Sequence, residues 1–222
     1  MSADPAAAGV SGQVRLLERT RLSENVVEIV LSRPRGFTFT PGQSVRFIVD
    51  GSERDYSIAS GPADDTLSFL VAPGAPGSMP GRLAALSLGT SLAIDGPHGY
   101  FVHERSQRRP VLVATGTGVA PFLSMTRSGL RGFTLLHGVR SPDDLVYAEE
   151  LRAAATLYVA CVSRGTAPPS GYRGRVTAWV RQTLPPGAYD FYLCGRREMV
   201  RDVTLIVDAR FAGSIVRTEI FF

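Results

Sequence analysis

The chain contains no lysine; all 24 of its basic residues are arginine. Without a lysine it can form no Schiff base through a side-chain amine, and it cannot build the phosphate loop that ends in lysine. Arginine offers instead a planar fork matched to phosphates and carboxylates. Cysteine is nearly as scarce. Cys161 and Cys194 each lie in an apolar run, so they make no disulfide framework, and no C-x-x-C spacing exists to hold zinc or an iron–sulfur cluster. Redox chemistry would therefore need an organic cofactor.

Other absences narrow the reading further. No apolar run is long enough to span a bilayer, so no membrane partner is expected. The opening residues MSADPAAAGVSG lack the basic start and apolar core of a signal peptide, so residues 1–12 read as a flexible lead-in and cytoplasm is the expected location. The formal net charge of +4 is too small and too scattered to suggest nucleic acid. His98, His103 and His137 have no metal-ligand or catalytic-triad spacing, and no metal is expected.

What the chain does have is two rhythms. From Gln13 to about His103, short runs such as VRLLERTRL, NVVEIVLS, SVRFIVD, RDYSIAS, TLSFLVA and TSLAIDG are separated by Pro-Gly, Asp-Gly and Gly-Pro turn signals. That spacing predicts an antiparallel barrel, with one helix-like insert between Ser78 and Leu88. From Arg109 onward, VLVAT, FTLLHG, TLYVACV, DFYLCG and SIVRTEIF alternate with helical stretches, which predicts a doubly wound parallel sheet of five strands. The charged, proline-ended HERSQRRP reads as the linker. Two domains are expected, over 13–106 and 109–222.

Three stretches could carry chemistry, one of them the Gly74-Ala-Pro-Gly77-Ser78 loop, whose N–H groups ahead of the helix-like insert could meet a pyrophosphate. In VLVATGTGVAP a strand ends at Gly116-Thr117-Gly118 and restarts as a helix, which aims backbone N–H groups at a phosphate. In Arg54-Asp55-Tyr56-Ser57 an arginine could hold a phosphate, a tyrosine could lie on an aromatic ring, and a hydroxyl could reach a ring nitrogen. Alone, each is also compatible with an ordinary strand or loop.

Taken in order, R-D-Y-S, the G-x-x-G-S loop from Gly74 to Ser78, G-P-H-G from Gly96, G-T-G-V-A-P, and Cys194-Gly195 resemble the ferredoxin–NADP reductase family from about Gln13 to the end. The resemblance implies a flavin-binding β-barrel followed by a nicotinamide-dinucleotide domain. It places flavin on Arg54, Asp55, Tyr56 and Ser57, and pyrophosphate at Gly77, Ser78 and Met79. Gly116, Thr117, Gly118, Pro121 and Gly195 would border the nicotinamide dinucleotide, with Cys194 beside the nicotinamide. Glu219 would help move a proton, and Phe222 (or Phe221) would cover the flavin. The implied cofactor is FAD, with FMN as the alternative.

Charge argues for NADPH over NADH. A 2′-phosphate needs arginine where NADH-selective sites place an acid. Arg140 follows the second parallel strand, and Ser163, Arg164, Arg173 and Arg175 follow the third, with no acid among them. Asp143 and Asp144 read as caps of the next helix. The expected activity passes hydride from NADPH to FAD and single electrons to a ferredoxin, flavodoxin or oxygenase component, from a monomer. An NAD(P)H:free-flavin reductase, and a partner-binding subunit without turnover, stay open as alternatives.

Overall fold

The structure, a computed structural model, describes residues 11–221. Most of the expected lead-in and Phe222 lie outside the described residues. The first half forms β1 (Gly12–Ser23), β2 (Val26–Ser32), β3 (Ser44–Val49), β4 (Ser52–Ser57), β5 (Thr66–Val71) and β6 (Ser91–His98). They make an antiparallel sheet in the order β4-β3-β6-β1-β2-β5. Just past β4, Ala59 N–H donates to Ser68 O on β5 at 2.8 Å, which brings the two edges together in a barrel-like closure. Alternation fills the interior with Val27, Ile29, Leu31, Phe47 and Phe69, and the rings of Phe47 and Phe69 meet edge to face at 5.0 Å.

The one helix among the described residues of this half, α1 (Met79–Ala85), is shorter than the expected insert, because the backbone already leaves helical geometry at Leu86. Met79 and Leu83 are buried in the barrel core. The Ser78 hydroxyl caps the helix by accepting from Gly81 N–H at 3.2 Å.

The second half comprises β7 (Arg109–Thr115), α2 (Ala120–Arg127), β8 (Thr134–Val139), α3 (Ala148–Ala154), β9 (Leu157–Val162), β10 (Tyr172–Arg173), α4 (Val176–Gln182), β11 (Tyr189–Arg196), α5 (Arg197–Arg210) and β12 (Ile215–Phe221). The sheet is parallel in the order β10-β9-β8-β7-β11-β12. It has six strands where five were expected. The addition, β10, pairs only Tyr172 and Arg173 with the end of β9, and two residues carry no hydrophobic period to read. Arg109 and Pro110, expected in the linker, already pair with Tyr189 and Asp190.

Packing joins the halves. Val26, Ala59, Leu70 and Phe101 from the barrel side share one buried cluster with Leu112, Phe122, Leu135 and Tyr192. Polar ties reinforce it: the Ser124 hydroxyl donates to Ser60 O at 2.7 Å, and Tyr147 O–H donates to Glu28 at 2.7 Å. Arg127 donates to Ala59 O at 3.1 Å while gripping Glu150 with two bonds of 2.9 and 3.1 Å. This continuous apolar contact sets how the two walls of the cleft between them face each other.

Candidate active site

In the parallel sheet the strand order reverses between β7 and β11, and ligands of such sheets collect at the carboxyl ends of the strands there. A cleft of about 1770 Å³ opens at this point, walled on the other side by β4 of the barrel. Its lining includes Arg54, Tyr56 and Ser57 from the barrel, and Gly116, Thr117, Gly195 and Glu219 from the parallel sheet.

One hydrogen bond joins β4 on one wall to β12 on the other. The Ser57 hydroxyl donates to Glu219 Oε1 at 2.8 Å. β12 runs parallel to β11 with Glu219 beside Cys194, which carries the carboxylate to the end of the sheet and into the cleft. Burial pushes the Glu219 carboxyl from 4.5 up to about 7; the Ser57 hydrogen bond pulls it down, and neighbouring Asp55 pushes it up. A carboxyl that titrates near neutrality at the wall of a cleft can hold and release a proton there.

Tyr56 adds a second unusual group. Its ring is packed edge to face on Phe47 at 5.3 Å, yet the phenol O–H is buried with no hydrogen-bond partner. Burial pushes that phenol up to about 12, so it stays a donor. The Arg54 guanidinium lies 6.0 Å from the same ring. Asp55 lines the cleft too, but is bound to Arg46 opposite it on β3, at 2.8 and 3.2 Å.

The glycine turn divides its work. Gly116–Val119 winds as a 3-10 turn into α2. Gly116 has φ +55 and open space where a Cβ would stand, whereas a Cβ on Gly118 would meet Cys194 O at 2.4 Å. Gly118 thus packs the turn against β11, Pro121 is buried at the start of α2, and Gly116 and Thr117 line the cleft. The Cys194 side chain is fully buried under this turn, its thiol pushed well up by burial. It does not itself line the cleft, although the adjoining Gly195 does.

At the far end Arg140, Ser163, Arg164 and Arg175 all line the cleft. Their loops are zipped together: Arg164 N–H donates to Arg140 O at 2.8 Å, and Ser163 N–H to Val139 O at 3.0 Å. Among the described residues, the guanidinium groups of Arg140, Arg164 and Arg175 have no carboxylate partner. Arg173 lies on edge strand β10 and is not part of the lining.

Two expectations meet a different arrangement. Gly77, Ser78 and Met79 lie outside the cleft lining, which this loop reaches through Ala72, Pro73 and Pro80. Asp143 and Asp144 do not cap α3, whose first turn has no side-chain cap; Asp144 reaches across to the barrel instead. Phe222 lies outside the described residues, and Phe221 lines the cleft.

Sequence reasoning passed over Gly138, where a Cβ would stand 2.8 Å from Val176 Cγ1, and Thr115, whose hydroxyl accepts from Arg196 N–H at 3.0 Å. The glycine of HGVR was the available sign of the first. None of the histidines lines the cleft, and His137 is buried and neutral, pushed down to about 4 by desolvation. Among the described residues no group of three or more His, Cys, Asp or Glu side chains could hold a metal ion, and no helix is long and apolar enough to cross a membrane.

Comparison with known proteins bears on this geometry. Residues 112–204 match the family described as the oxidoreductase NAD-binding domain. The chain is 38% identical over 189 residues to ferredoxin–NADP reductase B of Sorangium cellulosum, covering 76% of each chain. It is 33% identical over 213 residues to the toluate 1,2-dioxygenase electron transfer component of Pseudomonas putida, covering 89% of this chain and 62% of that protein's length. In fold it is similar to a ferredoxin–NADP+ reductase of Neisseria gonorrhoeae solved with bound FAD and NADP, with TM-score 0.81 and 22% identity over 96% of this chain and 99% of that one. A barrel and a parallel sheet meeting at a cleft, together with that identity over three quarters of both chains, place this protein in the ferredoxin–NADP reductase family of oxidoreductases.

Proposed function

We propose that the chain is an NADPH-dependent flavin oxidoreductase that binds FAD in the cleft and passes electrons singly to a separate ferredoxin, flavodoxin or oxygenase component. In this reading 13–106 is the flavin-binding unit and 109–222 the nicotinamide-dinucleotide unit. The observation that carries it is the Ser57–Glu219 hydrogen bond, which brings a titrating carboxyl of one domain to a hydroxyl of the other at the cleft wall. The electron-transfer roles in the names of the dioxygenase relatives support the choice of acceptor.

The residues fit the cofactors. Among the described residues the Tyr56 phenol is a buried donor without a partner beside the cleft, and Arg54 is a cation without a carboxylate, as a phosphorylated aromatic ligand requires. When bound, flavin and nicotinamide would supply the hydride chemistry. The chain's part is to orient and to exclude water. Tyr56 offers a ring face and an O–H, Ser57 holds the Glu219 carboxyl in place, and Glu219 keeps a proton at the cleft wall near pH 7. Gly116 leaves room for close backbone approach of the dinucleotide, with Thr117 and Gly195 beside it in the lining, while Arg140, Ser163, Arg164 and Arg175 would bind its 2′-phosphate.

The test is to purify the protein, identify the flavin extracted from it, and titrate it anaerobically with NADPH and NADH. A yellow protein carrying FAD that NADPH bleaches at lower concentration than NADH is the expected result. A colourless protein that reduces added riboflavin would replace this reading with a free-flavin reductase. Bound flavin that neither nucleotide bleaches would leave a partner-binding subunit without turnover.

A further inference from the structure

We infer that Asp144 is a positioning residue: through it, the Ser23–Asn25 turn of the barrel holds the arginine-bearing loops of the other domain in the place where they meet a 2′-phosphate. The inference rests on the NADPH reading above. Asp144 is only 6% exposed, and a buried carboxylate is costly unless its lone pairs are bonded. Among the described residues its side-chain hydrogen bonds all come from one turn of the barrel. The Ser23 hydroxyl donates to Oδ1 at 2.7 Å, and Asn25 Nδ2 lies 3.2 Å from each carboxylate oxygen. Asn25 N–H also donates to Ser23 Oγ at 3.1 Å, which stiffens the turn that makes the grip.

The other side of Asp144 leads to the arginines. It closes the short turn Pro142–Asp144, which Ser141 caps and which follows directly on Arg140. The Arg140 carbonyl accepts Arg164 N–H, and the Val139 carbonyl accepts both the N–H and the hydroxyl of Ser163. A chain of direct bonds thus runs from the barrel turn through Asp144 to two loops whose arginines have no carboxylate partner among the described residues. Both Asn25 and Asp144 line the same cleft as Arg140 and Arg164. His137 beneath is neutral and gives Asp144 no counter-charge, while its Nδ1 faces Tyr158 O–H at 3.0 Å. The barrel, the half assigned to flavin, therefore helps to set selectivity for the nicotinamide nucleotide.

The test uses the full chain and needs no turnover. Adenosine 2′,5′-bisphosphate and 5′-AMP are titrated by calorimetry into the wild type, the Ser23→Ala/Asn25→Ala double variant and Asn25→Ala alone, and melting temperature and flavin absorbance are recorded for each. The wild type should prefer the bisphosphate. The double variant should lose about tenfold of that preference, because a charge-assisted contact carries about ten- to a hundredfold in affinity and displaced loops give up part of it. Its affinity for 5′-AMP and its flavin absorbance should stay as they were, and Asn25→Ala should fall between. A double variant that keeps the full preference, or that weakens both nucleotides equally, overturns the inference and leaves the NADPH reading standing. A wild type that does not distinguish the two nucleotides overturns both.

Discussion

Replacing Glu219 by glutamine should make the protein more stable at pH 8 and leave it nearly unchanged at pH 5. Glutamine keeps the shape and still accepts the Ser57 hydroxyl, but cannot ionise. The native carboxyl titrates at about 7, against 4.5 for an ordinary one. Between those values the folded chain binds more protons than the unfolded chain, so stability falls as pH rises through this window and levels off above it. A displacement of that size corresponds to about 3 kcal/mol, and solvent reaching the half-buried group reduces it to about 2 kcal/mol. The wild type should lose that amount relative to the variant between pH 5 and pH 8. Urea unfolding at both values, followed by fluorescence of the buried and only tryptophan, Trp179, measures it. A stability difference between variant and wild type that is the same at both pH values would refute the reasoning, since an exposed or ordinarily titrating Glu219 would behave that way.

Ser57→Ala removes the hydrogen bond that lowers the Glu219 carboxyl, so the pH midpoint assigned to that group should move upward and flavin reduction should slow; an unmoved midpoint in the pH–rate profile would dismiss the coupling. Arg164→Ala should raise KM for NADPH by about ten- to a hundredfold and change KM for NADH little, because a charge-assisted contact contributes about 1.5–3 kcal/mol; equal effects on both nucleotides would remove Arg164 from the phosphate site. Gly118→Ala forces a Cβ to 2.4 Å from the Cys194 carbonyl, a backbone atom that cannot swing away. The cost should be about 1–3 kcal/mol, read as a drop of several degrees in Tm, and an unchanged Tm would show that the turn can yield.

The chain's periodicity determined much of the architecture. Period-two runs with turn residues announce the antiparallel half, and βα alternation announces the parallel half, because both are properties of consecutive residues. RDYS and GTGVAP were legible as short local motifs, although RDYS closes β4 where a strand start was expected, and Arg54, Tyr56, Ser57, Gly116 and Thr117 do line one cleft. The surplus of arginine was legible by counting alone. Tertiary structure decided the rest. Ser57 and Glu219 are 162 residues apart, and Ser23 and Asp144 are 121 apart; no spacing rule connects positions that meet only when two domains pack. Cys194 reads as a site residue from its place at a strand end, yet Gly118 folds against its carbonyl and its side chain is buried. Asp144 reads as a helix cap from its neighbours, yet its hydrogen-bond donors come from the other half of the chain. Local pattern determines which element a residue joins, whereas burial and long-range partners determine what its side chain can do.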